Sequence, residues 1–303
     1  MTRRQKHRLE YLLFRAIEIL IHFLPMAVLE ILAQIVVFFG FNIIKYRRDV
    51  ALENLRYAFP EKSPQEREAI AYRSFHHFAL LIFEFIKLSG WNDKKLAAKV
   101  KFTFDPQAQA ILDTLKKNGG ILVSGHFGNW EMAIAMLASR YFEMPAVVQK
   151  RQQNRFIDEK TIAMRTRWGV RMIHSRGAIR KLRTALNEQR VVALLADQDA
   201  GESGAFVPFM NRAASTPAGP AMLLLRSRAS LNFSAAIRTG RYQFSGVIVP
   251  IEYHGGYELT HENIAAVTAG FTRELEALVR KHPEQYLWMH RRWKTPFEVK
   301  SKK

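Results

Sequence analysis

At 303 residues and 48% hydrophobic, the chain can bury a full core, which excludes a disordered tail or a short peptide module. With no cysteine, a disulfide framework and thiolate metal sites are excluded, so histidines and carboxylates must carry any chemistry. A formal charge of +19 selects anionic partners: nucleic acid, an acidic membrane surface, or an acidic carrier or substrate.

The N-terminus opens with "TRRQKHR" and continues into apolar stretches cut by Arg15, Glu18, Pro25 and Glu30. The longest charge-free run, Ile31 to Ile44, has 14 residues, short of the roughly 20 that span a bilayer. An interfacial helix, or a pair broken at Pro25, is therefore expected over residues 1–45. Aromatic, aliphatic and basic residues occur together there, as membrane contact requires, although an ordinary buried helix pair has a similar apolar pattern. No small-residue cleavage site stands out, so the segment is expected to be retained.

From Lys45 the helical pattern runs on through "RRDVALENLRYAF", stops at Pro60, and restarts at Ser63, a natural N-cap before Pro64. Residues 46–100 thus form the helical part of a second unit, 46–303. From Phe102 the elements alternate. Strands are predicted at "GILVSG", "AVVQ", "VRMIH", "VVALLAD", "NFSAAIRTG" and "YQFSGVIVPIEY", with helices between most of them and a last helix near "ENIAAVTAGFTRELEALVRKH". This alternation predicts an α/β fold over 101–303, a mixed, mainly parallel sheet flanked by helices, preceded by an all-helical N-terminal segment.

Candidate chemistry centres on "GGILVSGHFGNWEMAIAML". In one regular helix, side chains five apart point about 140° away from each other, so His126 and Glu131 could meet only across a turn. "ILVSG" reads as a buried strand, Gly125 and Gly128 relax the backbone, and Asn129 is a favoured N-cap for the next helix. His126 then sits at the strand's C-terminal end, the edge where α/β sites form, with Glu131 in the helix's first turn. A carboxylate on one ring nitrogen would fix the tautomer and make the other a base for a substrate hydroxyl, with no protein nucleophile needed. By spacing alone, a purely structural pair is the other reading.

Beyond that stretch, "SGHFGNWE" resembles the His-x4-Asp/Glu signature of glycerolipid-type acyltransferases, and in its Gly-Asn-Trp-Glu form the late lipid A acyltransferases, the bacterial lauroyl/myristoyl transferase family. Two further stretches, "ADQDAGESGAFVPFMNRAASTPAGPAMLLLRS" and "WMHRRWKTP", are similar to later blocks of that family, so the likeness covers roughly residues 100 to 295. The resemblance implies transfer of a fatty acyl group from an acyl carrier protein thioester to a hydroxyl of a lipid A precursor or related glycolipid. It also implies the cytoplasmic face of the cell inner membrane as the place, His126 as general base, Glu131 as its orienting partner, and no metal or other cofactor. Coenzyme A as donor, and a lysophospholipid, mannolipid or aminolipid as acceptor, stay open.

Residues 150 to 190 hold 12 Lys/Arg against Asp158, Glu159 and Glu188. A subset, Arg165 included, is expected to bind phosphates or acidic carrier-protein helices. The family's Arg-x3-Asn spacing falls on Lys150 and Asn154, with Arg151 adjacent; Lys150 fits by spacing and Arg151 by its forked guanidinium. Asp197, Gln198 and Asp199 follow a buried strand and are expected to order the wall of the site, with Glu202 making a hard-cation site the lesser reading. Trp288, His290, Arg291, Arg292 and Trp293 would either cover the core or form an interfacial patch. An acyl slot is expected from "FALLIFEF", "MAIAML" or "AMLLL". No nucleic-acid motif accompanies the charge, so nucleic-acid binding through bulk charge is set aside.

Overall fold

A computed structural model describes residues 1–142, 146–149, 151–175 and 177–297. The chain begins with helices α1 (Arg3–Phe23) and α2 (Met26–Phe38), the latter running into a π-helical turn at Phe39–Ile43. The pair is broken at Pro25, whose missing N–H suits the N-terminal boundary of α2. Leu9, Leu12, Leu13, Leu20 and Phe23 of α1, and Val28, Ile31, Ile35 and Phe38 of α2, are exposed at helical spacing, so each helix turns an apolar stripe outward. The acids that interrupt the apolar run face inward. Glu18 is buried and pairs with Arg15 and, at 2.9 Å, with Lys160; Glu30 pairs with Arg241. Met26–Ile43, with mean hydropathy 2.0, is long and apolar enough to cross a membrane by length and composition.

Helices α3 (Arg48–Ala58), α4 (Pro64–Ser89) and α5 (Asp93–Lys99) follow. Ser63 caps α4 in a capping box with Glu66, as its place before Pro64 predicts. Both N-terminal helices pack on α4, and Lys87 of α4 donates to the Ile21, His22 and Leu24 carbonyls at the end of α1 (3.1, 3.3 and 2.5 Å), where a cation suits the helix dipole.

The rest alternates as β1 (Lys101–Phe104), α6 (Pro106–Asn118), β2 (Gly120–Ser124), α7 (Trp130–Arg140), β3 (Ala146–Gln149), α8 (Arg155–Thr166), β4 (Arg171–His174), α9 (Ala178–Asn187), β5 (Val191–Leu195), β6 (Ala205–Phe209), β7 (Arg212–Thr216), α10 (Gly219–Ser227), β8 (Leu231–Gly240), β9 (Gln243–Pro250) and α11 (His261–Lys281). Among the described residues one sheet has the order β1-β9-β8-β2-β5-β3-β4, parallel throughout except for the β8–β9 hairpin. The predicted mixed, mainly parallel sheet is what forms. Along β2, Ile121 and Val123 join the core made with α9, α10 and α11, while Leu122 joins that made with α6 and α7, the two-faced burial a covered parallel strand needs. Two features differ from the sequence reading. Lys101–Phe104 is a strand at the sheet edge, and a separate antiparallel hairpin, β6–β7, stands inside the "GAFVPFMNRAAST" block.

Candidate active site

Strands β2, β5, β3 and β4 run parallel, so their C-terminal ends share one edge, and the chain leaving β2 there carries His126. The turn is tightly held. Gly128 has φ +58, and a Cβ on it would stand 1.9 Å from the Ala236 carbonyl oxygen of β8, so only glycine fits. The Gly128 and Asn129 amides donate to the Gln285 and Ala236 carbonyls at 2.8 and 3.0 Å, and the His126 carbonyl accepts from Leu287 N at 3.1 Å. His77 donates to the Gly128 carbonyl at 3.0 Å; burial, then Arg238, pushes its pKa down to about 3, so it stays a neutral donor. Asn129 caps α7 through the Met132 amide, as predicted, and also donates to buried Glu84 at 2.7 Å, which takes both arms of Arg238.

The carboxylate on the His126 ring belongs to Asp197. Nδ1 donates to Asp197 Oδ1 at 2.7 Å, and the His126 backbone N–H donates to Asp197 Oδ2 at 2.8 Å. The register explains the meeting: Ser124 lies beside Leu195 in the β2–β5 pair, and two residues further along each strand come His126 and Asp197. Asp197 is 3% exposed. Burial opposes its charge, but His126 and then Arg292 hold its pKa below the ordinary carboxylate value. Burial likewise opposes a charged His126, yet Asp197 outweighs it, with Glu131 adding from a distance, and the imidazole pKa stands above its ordinary value. With Nδ1–H committed, Nε2 is left as the acceptor. It faces the side-chain nitrogen of Gln198 at 3.5 Å, and the ring meets Trp130 edge-on at 4.9 Å.

Glu131 makes a different contact from the one expected. Its carboxylate takes a forked grip from Arg165 of α8, at 2.9 Å from Nε and 2.5 Å from a terminal nitrogen, and also accepts from Trp130 Nε1 at 3.2 Å. A helix's first turn points its side chains around the axis, so Glu131 reaches the neighbouring helix while the strand-end partner of His126 comes from β5.

His126, Glu131, Arg165 and Gln198 line one cavity of 440 Å³. Leu122, Ala193, Leu194, Val147, Ile134 and Leu137 make its wall apolar, between the sheet and α7. Of the stretches expected to build an acyl slot, "MAIAML" does so; further apolar lining comes from β2, β3, β4 and β5, and none from "FALLIFEF" or "AMLLL".

Asn154 is brought elsewhere. It caps α8 and donates to the His7 carbonyl and Glu10 at 2.9 Å each, tying α8 to α1. Arg151 is exposed and outside the cavity lining, and Lys150 lies outside the described residues. Asp199, outside the cavity lining, accepts from Gly201 N, Thr295 N and the Thr295 hydroxyl and so ties the loop after β5 to the closing segment. Among the described residues no group of three acids or histidines is placed to hold a metal.

The closing block corrects the interfacial reading for two of its members. Trp288 and Arg292 are 0% and 1% exposed, and Arg292 donates to the Ser215 carbonyl and Thr216 hydroxyl at 2.6 Å each, its charge set toward Asp197. Tyr286, which sequence reasoning passed over, is buried beside them; burial and then Asp197 raise its pKa, so the phenol stays protonated. Its position two residues before "WMHRRWKTP" was the available signal.

The family described as bacterial lipid A biosynthesis acyltransferase matches residues 3–295. The chain is similar to the lipid A biosynthesis palmitoleoyltransferase and the lipid A biosynthesis lauroyltransferase of Escherichia coli (strain K12), each 29% identical over 259 residues that cover 83% of this chain and 80% of the relative. It is also similar to the phosphatidylinositol mannoside acyltransferase of Mycobacterium tuberculosis (strain CDC 1551 / Oshkosh), 23% identical over 214 residues, 69% of this chain and 66% of the relative. With a family match running over nearly the whole chain, the protein belongs to the bacterial lipid A biosynthesis acyltransferases and is an acyltransferase.

Proposed function

We propose that the protein moves a fatty acyl chain from an acyl carrier protein thioester to a hydroxyl of a lipid A precursor or related glycolipid, at the cytoplasmic face of the inner membrane. The observation that carries this reading is His126 Nε2, left as the ring's acceptor and met by the Gln198 amide at the long distance of 3.5 Å, at the head of a cavity with an apolar wall, with Nδ1 locked on a buried carboxylate. The acyl tail lies along Leu122, Ile134 and Leu137, which sets its carbonyl carbon near the imidazole. His126 Nε2 takes the proton of the acceptor hydroxyl as its oxygen attacks the thioester carbonyl. Collapse of the tetrahedral intermediate breaks the carbon–sulfur bond, and the imidazolium returns the proton to the departing thiolate. Asp197 holds the tautomer and stabilises the imidazolium. The Glu131–Arg165 pair shapes the polar end of the cavity, with the guanidinium set to offset negative charge on the reacting groups.

The apolar stripes of α1 and α2 support membrane contact by residues 1–45, leaving the cavity mouth to meet a lipid acceptor. Names of the relatives support glycolipid acceptors of two kinds, lipid A and phosphatidylinositol mannoside; the lipid A branch is favoured by the match over residues 3–295. Mass spectrometry of lipids from a deletion strain tests this. Loss of one acyl chain from lipid A, restored by the wild-type gene and not by His126→Ala, is expected; an intact lipid A profile refutes the acceptor, and an active His126→Ala refutes the mechanism.

A further inference from the structure

A second cavity, of 490 Å³, shares Ser175 with the wall of the first and is lined by Gly177, Ala178, Ile179 and three arginines, Arg180, Arg183 and Arg226. Because α9 starts directly after β4, this hollow opens at the sheet edge that carries His126. Arg180 and Arg183 are one turn apart on α9, and Arg226 comes from the end of α10, which packs on α9. All three are exposed, and among the described residues none has a carboxylate partner; Glu188, the nearest acid along α9, pairs with Arg190 instead. Like charges brought together on one hollow repel, and an anion seated among them removes that cost.

We propose that Arg180, Arg183 and Arg226 form a phosphate-binding subsite that holds a phosphoryl group of a substrate while its reacting end lies at His126. This inference rests on the acyl-transfer reading above. Guanidinium forks match phosphate oxygens in pairs, and a concave hollow of this size fits a small anionic group rather than the convex face of an acidic helix. The phosphate has two sources, the glycolipid acceptor or the pantetheine arm of the donor, and the wall shared at Ser175 allows either to span both cavities.

The test uses the full-length protein in detergent and the variant R180Q/R183Q/R226Q. Binding of inorganic phosphate, read by phosphorus NMR line broadening, is expected in the wild type and lost in the variant. In acyl-transfer assays the KM for one phosphate-bearing substrate should rise by about tenfold for each arginine removed, with the change read in KM rather than kcat. Lysine at the same three positions should restore part of it. If the rise disappears with a dephosphorylated acceptor, the acceptor supplies the phosphate; if it disappears with a simple N-acetylcysteamine thioester, the donor does. A rise that persists with both phosphate-free substrates, one that follows the carrier protein's acidic surface alone, or equal phosphate binding by both proteins overturns the proposal. Absence of any turnover would refute the acyl-transfer reading, and phosphate binding would still decide the subsite.

Discussion

Asp197→Asn is the sharpest test of how the site works. The amide keeps the shape and can still accept from the His126 backbone, but it removes the charge 2.7 Å from Nδ1 and lets the ring settle in either tautomer. A hydrogen bond to a charged group contributes about 1.5–3 kcal/mol, so kcat/KM should fall by roughly 10- to 150-fold at the plateau, more if the wrong tautomer dominates. The pH profile should move too. In the wild type the His126 pKa is raised above the ordinary 6.5, and the base works only when neutral, so activity climbs as pH rises through that raised value. Without Asp197 the acid limb should shift to lower pH although the maximum is lower. Stability follows by linkage. The Asp197 pKa is depressed when folded, so its contribution is present above the ordinary 3.8 and fades as pH falls through the folded value. The His126 contribution has the opposite sense, full below 6.5 and lost as pH rises through the raised folded value. Buried Arg292 also loses a nearby negative charge, so a lower melting temperature is expected, and rates must be taken where the variant is folded. A folded variant with reduced rate but an unmoved acid limb would refute the orienting role of Asp197.

Further tests bear on other parts of the molecule. Glu131→Gln should weaken the hold on Arg165 and lower the acyl-transfer rate while moving the acid limb of the pH profile to lower pH by less than Asp197→Asn does. Ile134→Trp narrows the cavity between α7 and the sheet, so activity with long acyl donors should fall more than with short ones in a chain-length series. Gly128→Ala places a Cβ against the Ala236 carbonyl at positive φ, and denaturant titration should show a loss of at least about 3 kcal/mol. Leu12→Gln with Leu20→Gln removes two exposed leucines from α1, so vesicle sedimentation should weaken by about tenfold or more with the melting temperature unchanged.

Local sequence determined a large share of this protein. Ser63, Asn129 and Asn154 stand as helix caps because their short side chains reach the backbone amides of the next turn, a contact legible within four residues. Apolar runs announced β2, bounded by glycines, and β5, and the strand–turn–helix around His126 followed from the first of them. Strand β1 escaped notice because four residues with half-buried alternation carry little signal before pairing with β9. Tertiary structure alone decided which carboxylate serves His126. Glu131 is five residues away and turns to Arg165; Asp197 is 71 residues away and arrives because parallel pairing of β2 with β5 sets equal offsets past the strand ends. The burial of Arg292 and the meeting of three arginines beside Ser175 were settled the same way, since spacing along a chain fixes neighbours on one element while charge partners on different elements are chosen by how the sheet and helices pack.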